Sequence, residues 1–184
     1  MWSKNKDVPV ADHVRAILAA LDKRLPERVD ADLLEALVDA YARPVLMVSP
    51  ELDPGARPAL EALTARGLVL ALVSNTMRTP GATLRKLLER HGLLRLFRHA
   101  TFSDEVGVRK PDPAIFTLTL RALGCDATGA VHVGDDGALD VRGARAAGMR
   151  VIQVTHTATD AGPESPDAVI RALAELPAAV AALG

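Results

Sequence analysis

From Glu51 onward, short apolar runs alternate with stretches of helical periodicity, and this alternation constrains the fold more than any other feature of the chain. Residues 68–73 form an unbroken apolar run of strand length, which is typical of a strand covered on both faces. Strands that alternate with helices predict βαβ units, so the expected fold class is α/β, with a Rossmann-like, three-layer parallel sheet. Strands are predicted at residues 68–73, 100–103, 130–133, 151–154 and 168–170, and helices at residues 58–66, 79–91, 113–123, 140–147 and 172–183.

The first 50 residues show helical periodicity only. Apolar residues on one helical face predict a helix over residues 12–25, which we expect Pro26 to end. Asp30 is the predicted N-cap of a second helix, which ends at Pro44. We therefore expect a helical part, residues 1–50, and an α/β core, residues 51–184. A segment rich in Thr, Gly, Pro and Ser, residues 157–166, is predicted to be a surface loop.

Composition argues against several classes of protein. Apolar residues make up 49% of the chain and aromatic residues only 3%, so the core must be aliphatic. The net charge of −1 offers no broad basic surface to nucleic acid. No apolar run approaches the length of a membrane span, and the polar N-terminus is unlike a signal peptide. The single cysteine, Cys125, cannot form an internal disulfide, which fits a cytoplasmic protein.

Polar residues come at, or soon after, the ends of two predicted strands. Ser74 and Asn75 come directly after the apolar run 68–73, where a hydroxyl and an amide can hydrogen-bond a phosphate oxygen or a carbonyl. Lys110 stands just before Pro111, which disfavours helix at Lys110 and lets it reach back to an anionic group. Each residue also has an ordinary explanation, because Ser74 can cap a turn and Lys110 can be a solvated surface lysine.

The end of a third predicted strand carries carboxylates. The strand at residues 130–133 runs through Gly134 into Asp135 and Asp136, and Asp140 follows. Open α/β sheets bind ligands at the carboxyl ends of their strands, and a cluster of carboxylate oxygens suits Mg²⁺. We expect a metal site formed by Asp135, the best candidate ligand, and by Asp140, a second carboxylate facing the same pocket, whereas Asp136 can cap the following helix.

In this order along the chain, the strand ends resemble the motifs of the haloacid dehalogenase-like (HAD) superfamily of hydrolases, over roughly residues 51–184. Ser74 is similar to the family's second motif, Lys110 to its third, and Gly134-Asp135 with Asp140 to its fourth. Residues 131–149 resemble the phosphatase-rich branch that carries a helical cap. Residues 12–42 resemble the rear part of such a cap.

The resemblance implies a Mg²⁺-dependent phosphatase-like hydrolase that acts on a small phosphorylated metabolite. Ser74 and Lys110 would then be the catalytic residues. Ser74, Asn75 and Lys110 would bind the phosphoryl group, and Lys110 would neutralise its charge. Asp135 would ligate Mg²⁺, and Asp140 would support Lys110 or a metal-bound water. In such a protein a lysine and a metal ion offset the charge that develops at the reacting phosphate.

The chain departs from this family before the cap-like helices. The family's reaction begins with an Asp nucleophile in a strand-Asp-x-Asp segment, whose carboxylate attacks the phosphoryl group. No apolar strand followed by Asp-x-Asp precedes the cap-like helices here. The one Asp-x-Asp in that region, Asp30-Ala31-Asp32, opens a helix. We therefore expect little or no turnover from this sequence.

In the family, the strand that carries the nucleophile is central and lies between the strands that end at Ser74 and Asp135. Without it, the two flanking strands would lose their ladder partners, and buried unpaired backbone groups are costly. Three explanations are open. The sequence is a fragment or mis-started reading of a longer protein, or the two neighbours pair directly, or another segment fills the slot. We favour the first.

Two other functions are compatible with these residues. A metal-independent 2-haloacid dehalogenase of the same superfamily is disfavoured by the acidic pair Asp135-Asp136, which it would not need. A catalytically silent module would bind phosphate, a phosphometabolite or a protein partner without releasing product. His132 is expected in the core. The oligomeric state is not determined by the sequence, which permits a homodimer.

Overall fold

The structure is a computed structural model that describes residues 5–155 and 164–184. Its N-terminal part is helical, and its later part alternates strand and helix, which confirms the predicted α/β class. The N-terminal helices are α1 (Val10–Leu21), α2 (Leu25–Arg28), α3 (Ala31–Ala42) and α4 (Pro44–Met47). The later elements are α5 (Ala56–Ala65), β1 (Ala71–Ser74), α6 (Gly81–Arg90), β2 (His99–Phe102), α7 (Ser103–Val106), α8 (Pro113–Leu123), β3 (Val131–Gly134), α9 (Arg142–Ala146), β4 (Arg150–Val154), β5 (Ala168–Ile170) and α10 (Leu176–Leu183).

Local side-chain chemistry sets the ends of helix α8. The Asp112 carboxylate accepts a hydrogen bond from the backbone N–H of Ala114, and Pro113 occupies the first turn, where no intrahelical N–H partner is needed. Gly124 ends the helix in the left-handed region at φ 64°, which only glycine adopts freely. These signals are local, which is why the predicted helix and the observed helix coincide.

The parallel strands form two sheets instead of one. One sheet contains β1 and β2, and the other has the order β3-β4-β5. Within the described residues, β1 does not pair with β3, and no strand lies between them. The direct pairing of the two neighbours, one of the three explanations above, is therefore not what the structure shows.

Apolar clusters pack on both faces of the strands, as a three-layer core requires. Successive residues of β4 alternate between the faces: Val151 packs in a cluster with Phe116 of α8, and Ile152 packs in a cluster with Leu63 of α5. The first cluster also contains Ala144 of α9, and the second contains Leu176 of α10. Helices α8 and α9 therefore cover one face, and helices α5 and α10 cover the other.

Two predicted boundaries differ because prolines begin helices here. Pro26 lies in the first turn of α2, so the predicted helix over residues 12–25 is interrupted after Leu21. Pro44 likewise begins α4 instead of only ending α3. Proline is tolerated at these positions because the first N–H groups of a helix have no intrahelical acceptor.

Strand β1 is shorter than predicted. It spans Ala71–Ser74, so it begins later than the predicted strand at residues 68–73 and ends one residue beyond it. Its length matches its one ladder partner, because among the described residues β1 pairs only with β2 and the register joins Ala71–Ser74 to His99–Phe102. The predicted helix at residues 140–147 is also divided, into a π-helical turn, Gly137–Val141, and α9.

Some expectations lie outside what the structure tests. Most of the predicted loop at residues 157–166 lies outside the described residues, and the division at residue 50 stays a prediction. Among the described residues, no helix combines the length and apolar character that crossing a membrane requires.

Candidate functional site

The predicted site residues lie at the carboxyl ends of strands or on the segments between each strand and the next long helix. Lys110 lies between α7 and α8, and Asp140 lies in the π-helical turn Gly137–Val141. Ser74 is the last residue of β1, and Asn75 follows it. Gly134 is the last residue of β3, and Asp135 follows it. We call Ser74, Asn75, Lys110, Asp135 and Asp140 the carboxyl-edge cluster.

Asn75 and Lys110 hold each other through a pair of reciprocal hydrogen bonds. The Lys110 backbone N–H donates to Asn75 Oδ1 at 2.7 Å, and Asn75 Nδ2 donates to the Lys110 carbonyl at 3.0 Å. The loop before α8 is therefore anchored to the end of β1, although the two residues are 35 positions apart in sequence. This anchor determines where the lysine side chain begins.

The Lys110 side chain ends on the carboxylate of Asp140. Lys110 Nζ donates to Asp140 Oδ1 at 2.6 Å, and His132 Nε2 lies 2.8 Å from the same oxygen. The side chain of Asp140 is only 3% exposed and that of Lys110 is 13% exposed, so solvent screens the pair weakly. The His132 ring also packs edge-on against Phe116, with ring centroids 4.9 Å apart. Asp140 thus joins the loop before α8 to strand β3.

Two opposing effects act on the pKa of the Asp140 carboxyl. Burial alone raises it, but the hydrogen bond from His132 and the positive charge of Lys110 outweigh burial and lower the pKa from 3.8 to about 2. Asp140 is therefore a charged acceptor that fixes the lysine head group over a wide pH range.

This lowered pKa predicts an acid-labile contribution to folding. Because the folded-state pKa lies below the unfolded value, the contribution is complete above about pH 4 and is lost as the pH falls towards 2. The free energy of unfolding of the wild type, relative to Asp140→Asn, is expected to fall by about 2 kcal/mol between about pH 5 and about pH 2. Urea unfolding followed by circular dichroism measures this difference. As a control, the difference in free energy of unfolding between the wild type and Gly129→Ala should not vary with pH, because that variant changes no titratable group. A difference between the wild type and Asp140→Asn that does not change with pH would contradict the assignment.

The backbone around Asp140 is fitted closely to its side chain. A Cβ on Gly134 would lie 2.3 Å from Asp140 Cγ, so only glycine allows this approach. The Asp136 backbone N–H donates to Asp140 Oδ2 at 3.2 Å. The Asp136 side chain accepts from the N–H groups of Ala138 and Leu139, as expected for a capping residue. Gly134 and Asp136 therefore position the buried carboxylate.

The side chains of Asp135 and Ser74 take no part in the hydrogen bonds that join Asn75, Lys110 and Asp140. The Asp135 side chain is exposed and makes no hydrogen bond or ion pair with another described residue, although its carbonyl accepts from Gln153 Nε2 at 3.1 Å. The Ser74 hydroxyl reaches only the carbonyl of Asn75, at 3.4 Å, among the described contacts. The structure thus joins Asn75, Lys110 and Asp140 directly and leaves the side chains of Ser74 and Asp135 available.

The donor set limits what kind of metal site could form. Over residues 5–155 and 164–184, no three His, Cys, Asp or Glu side chains come together as a metal-binding group. Asp135 is an unengaged carboxylate at this edge, and the Asp140 oxygens are occupied by Lys110, His132 and the Asp136 N–H. Mg²⁺ is commonly held by one or two carboxylates together with water and substrate phosphates, so these residues fit a cation that the substrate helps to hold.

Sequence reasoning missed a second polar network beside the cluster. Asp7 is buried, and its Oδ2 accepts from the Ser103 hydroxyl at 2.5 Å. The Ser103 hydroxyl in turn accepts from the Thr76 backbone N–H at 2.7 Å. A lone Asp in a polar N-terminal stretch carries no sequence signal of burial. His132 was expected in the core and is buried there, but its bond to Asp140 was not foreseen.

The parallel strands, the two helical layers and the polar groups at the carboxyl ends of the strands define an α/β protein whose candidate ligand site lies at that edge. The chain belongs to the haloacid dehalogenase-like hydrolase family, whose sequence profile matches residues 4–148.

Named relatives place the chain near phosphatases within that family. It is 40% identical to a phosphoserine phosphatase of Thermus thermophilus over 126 residues, covering 68% of this chain and 49% of the relative. It is 30% identical to a phosphoglycolate phosphatase of Pseudomonas fluorescens over 169 residues, covering 88% of this chain and 59% of the relative. The chain thus spans about half the length of these curated relatives.

Solved structures of the family share the fold. The crystal structure of a 2-haloacid dehalogenase from Pseudomonas syringae superposes with a TM-score of 0.67 at 28% sequence identity. The match covers 97% of this chain and 83% of the other. The predicted family and fold class are therefore both confirmed.

Proposed function

We propose that the carboxyl-edge cluster binds the phosphoryl group of a small phosphorylated metabolite, as part of a phosphatase-type hydrolase. One observation carries this proposal: Lys110 is fixed at both its backbone and its ammonium group, by Asn75 and by Asp140. A lysine ammonium has three donor hydrogens, so one bond to Asp140 leaves others for an anion. Phosphoserine and phosphoglycolate phosphatases among the relatives support this substrate class.

In this proposal each residue has a separate task. Lys110 neutralises the phosphoryl charge, and the Ser74 hydroxyl donates to a phosphoryl oxygen. Asn75 positions Lys110, because its amide accepts from and donates to the Lys110 backbone, and the second N–H of its Nδ2 can donate to a phosphoryl oxygen. Asp140 keeps the ammonium group in place, and preorganised charge of this kind is the main way proteins stabilise phosphoryl transfer.

Magnesium dependence is part of the same proposal. Asp135 would hold Mg²⁺, with water and the phosphoryl group as further ligands. When bound, the ion would offset negative charge on the phosphoryl oxygens. Asp140 would serve the lysine instead of the metal, since Lys110 and His132 already share one of its oxygens. A cytoplasmic setting is proposed for the same protein, on the basis of its single cysteine.

Phosphate affinity is expected to depend on Lys110. Isothermal titration with inorganic phosphate and Mg²⁺ should show binding to the wild type and roughly tenfold or greater weakening in Lys110→Met, since hydrogen bonds to charged groups contribute about 1.5–3 kcal/mol. The control is Lys86→Met, which removes an exposed lysine of α6 and should bind phosphate like the wild type. Equal phosphate affinity in Lys110→Met and Lys86→Met would refute the proposed site.

We also propose that this 184-residue sequence binds phosphate with little turnover. Asp135 would hold the metal ion in this proposal, so attack on phosphorus would need another carboxylate facing the site. Asp140 does not offer one, because its carboxylate is bonded to Lys110 and His132. The assay is hydrolysis of p-nitrophenyl phosphate with Mg²⁺ by the purified chain. Robust turnover that disappears in Asp135→Ala would overturn this part of the proposal.

A second candidate function is 2-haloacid dehalogenation, which the solved dehalogenase structure at 28% identity favours. The exposed carboxylate of Asp135 argues against it, because a metal-holding group is superfluous in that reaction. Halide release from a 2-haloacid without Mg²⁺ would reverse the ranking.

A further inference from the structure

The backbone that leads to Lys110 is paired with residues 5–7. We call residues 107–110 the lysine loop. Two backbone hydrogen bonds and one antiparallel bridge join it to residues 5–7. The bonds run from the N–H of Asp7 to the carbonyl of Gly107, at 3.1 Å, and from the N–H of Arg109 to the carbonyl of Asn5, at 3.0 Å, and the bridge pairs Lys6 with Val108. Residues 5–7 therefore hold the three residues that precede Lys110 in the sequence.

The side chain of Asp7 connects the same segment to the loop after β1. We call residues 74–76 the serine loop. Asp7 Oδ2 accepts from the Ser103 hydroxyl at 2.5 Å, and Ser103 Oγ accepts from the Thr76 backbone N–H at 2.7 Å. Asp7 is 6% exposed, Thr76 is 2% exposed and Ser103 is fully buried, so water competes little for these bonds. The Asp7 carboxylate thus reaches the serine loop through a single hydroxyl group.

The lysine loop and the serine loop are therefore joined at two places. The first connection is the pair of reciprocal hydrogen bonds between Asn75 and Lys110. The second runs through Asp7, whose backbone pairs with the lysine loop while its carboxylate reaches the serine loop through Ser103. Because a single connection would let one loop pivot on the other, the second connection fixes their relative orientation. Precise placement of site residues depends on supporting hydrogen bonds of this kind.

The Asp7 carboxylate serves these loops and not the helix that follows it. Helix α1 begins at Val10 and its N-cap residue is Pro9, so Asp7 does not cap it. A buried carboxylate is costly unless donors surround it, and Asp7 has one on each oxygen. Oδ1 accepts from the Val8 backbone N–H at 2.9 Å, and Oδ2 accepts from the Ser103 hydroxyl. With both oxygens engaged in protein hydrogen bonds, Asp7 acts through its neighbours.

We propose that Asp7 is a positioning residue of the phosphoryl site: it holds the lysine loop against the serine loop and so sets where Lys110 stands relative to Ser74 and Asn75. This inference rests on the proposed function, and it adds a residue outside the carboxyl-edge cluster on which phosphate affinity depends. Loss of the Asp7 carboxylate leaves the backbone pairing of residues 5–7 possible but removes the connection through Ser103. The lysine loop then keeps only its bonds to Asn75.

Phosphate affinity tests the consequence for the site. Isothermal titration with inorganic phosphate and Mg²⁺ should show about fivefold weaker binding in Asp7→Ala and in Ser103→Ala, which is the equivalent of about one hydrogen bond. The double variant should bind about as weakly as either single variant, because both changes remove the same connection. Asp7→Asn should stay within about twofold of the wild type, because its amide can donate to Ser103 Oγ while the hydroxyl turns to Thr76 Oγ1, 3.2 Å away.

Thr119→Val is the control that separates positioning from a general loss of stability. The hydroxyl groups of Thr101 and Thr119 share a buried hydrogen bond of 2.7 Å, and neither residue lies on the two loops. Thr119→Val and Ser103→Ala should each lower the midpoint of thermal unfolding by about 2–6 °C, because each leaves a buried polar group without its partner. Phosphate affinity should weaken in Ser103→Ala but stay at the wild-type value in Thr119→Val.

Hydrogen exchange tests the placement of the lysine loop without phosphate. The Lys110 backbone N–H donates to Asn75 Oδ1, so its exchange rate reports on the first connection when the second is removed. This amide should exchange about threefold faster or more in Asp7→Ala and in Ser103→Ala than in Thr119→Val.

Two results would each overturn the proposal. One is a Lys110 exchange rate in Asp7→Ala and Ser103→Ala that equals the rate in Thr119→Val. The other is a wild type that binds phosphate while all three variants bind it equally well. A wild type that binds no phosphate would overturn the proposed function instead, and the exchange rates would still decide the role of Asp7. The two failures are therefore distinguishable.

Discussion

Replacing Asp140 by Asn is expected to lower the free energy of unfolding by about 3–5 kcal/mol, the usual cost of removing one partner of a buried ion pair. Asn keeps the shape of the side chain but removes the charge that Lys110 and His132 share. With the side chain of Lys110 only 13% exposed, water can compensate little. Urea unfolding at neutral pH measures the loss.

The control for this variant is an exposed ion pair of the same type. Asp12→Asn breaks the bond from Arg15 to Asp12, where both side chains are about half exposed, and should cost less than about 1 kcal/mol. The double variant Lys110→Met/Asp140→Asn should lose less free energy of unfolding than the two single variants lose in sum, because no unpaired ammonium is left. Strict additivity would show that the two residues do not interact in solution.

Gly134→Ala is expected to destabilise the protein by about 3 kcal/mol, at the upper end of the usual cost of overpacking a core. The added Cβ would lie 2.3 Å from Asp140 Cγ and 2.6 Å from Asp140 Cβ, and the buried carboxylate has little room to retreat. The variant should also lose the acid-dependent part of the stability, because Asp140 would be displaced from Lys110. Urea unfolding at several pH values measures both effects.

Gly129→Ala is the matched control for that change. Its Cβ would meet only Cys125 Sγ, at 3.8 Å, which is ordinary van der Waals contact. The free energy of unfolding should therefore change by no more than about 0.5 kcal/mol. Equal stability of Gly134→Ala and Gly129→Ala would contradict the close approach of Asp140 to the end of β3.

The parts of the fold that could be predicted are those with local causes. Helix α8 begins and ends where Asp112, Pro113 and Gly124 indicate, because capping depends on neighbours in sequence. The apolar periodicity likewise predicts the alternation of strand and helix. Ser74 and Asp135 could be placed at strand ends because parallel strands bring their carboxyl ends to one edge.

The parts that could not be predicted depend on partners far away in sequence. The apolar run at residues 68–73 does not reveal that one edge of β1 would be unpaired, and so its strand was overestimated. His132 has the pattern of an ordinary core residue, and only the folded chain brings it to Asp140. Asp7 meets Ser103 from 96 positions away, a contact that no local pattern encodes.

The bonds from Asn75 through Lys110 to Asp140 cross from one sheet to the other at the carboxyl ends of the strands. These bonds connect two sheets that are not joined by any strand-to-strand hydrogen bonds among the described residues. Anything that changes the spacing of the two sheets must also move the ammonium of Lys110 relative to its carboxylate. If Lys110 binds the phosphoryl group as proposed, the spacing of the two sheets and the affinity for the anion would be thermodynamically coupled, and a change in either would alter the other.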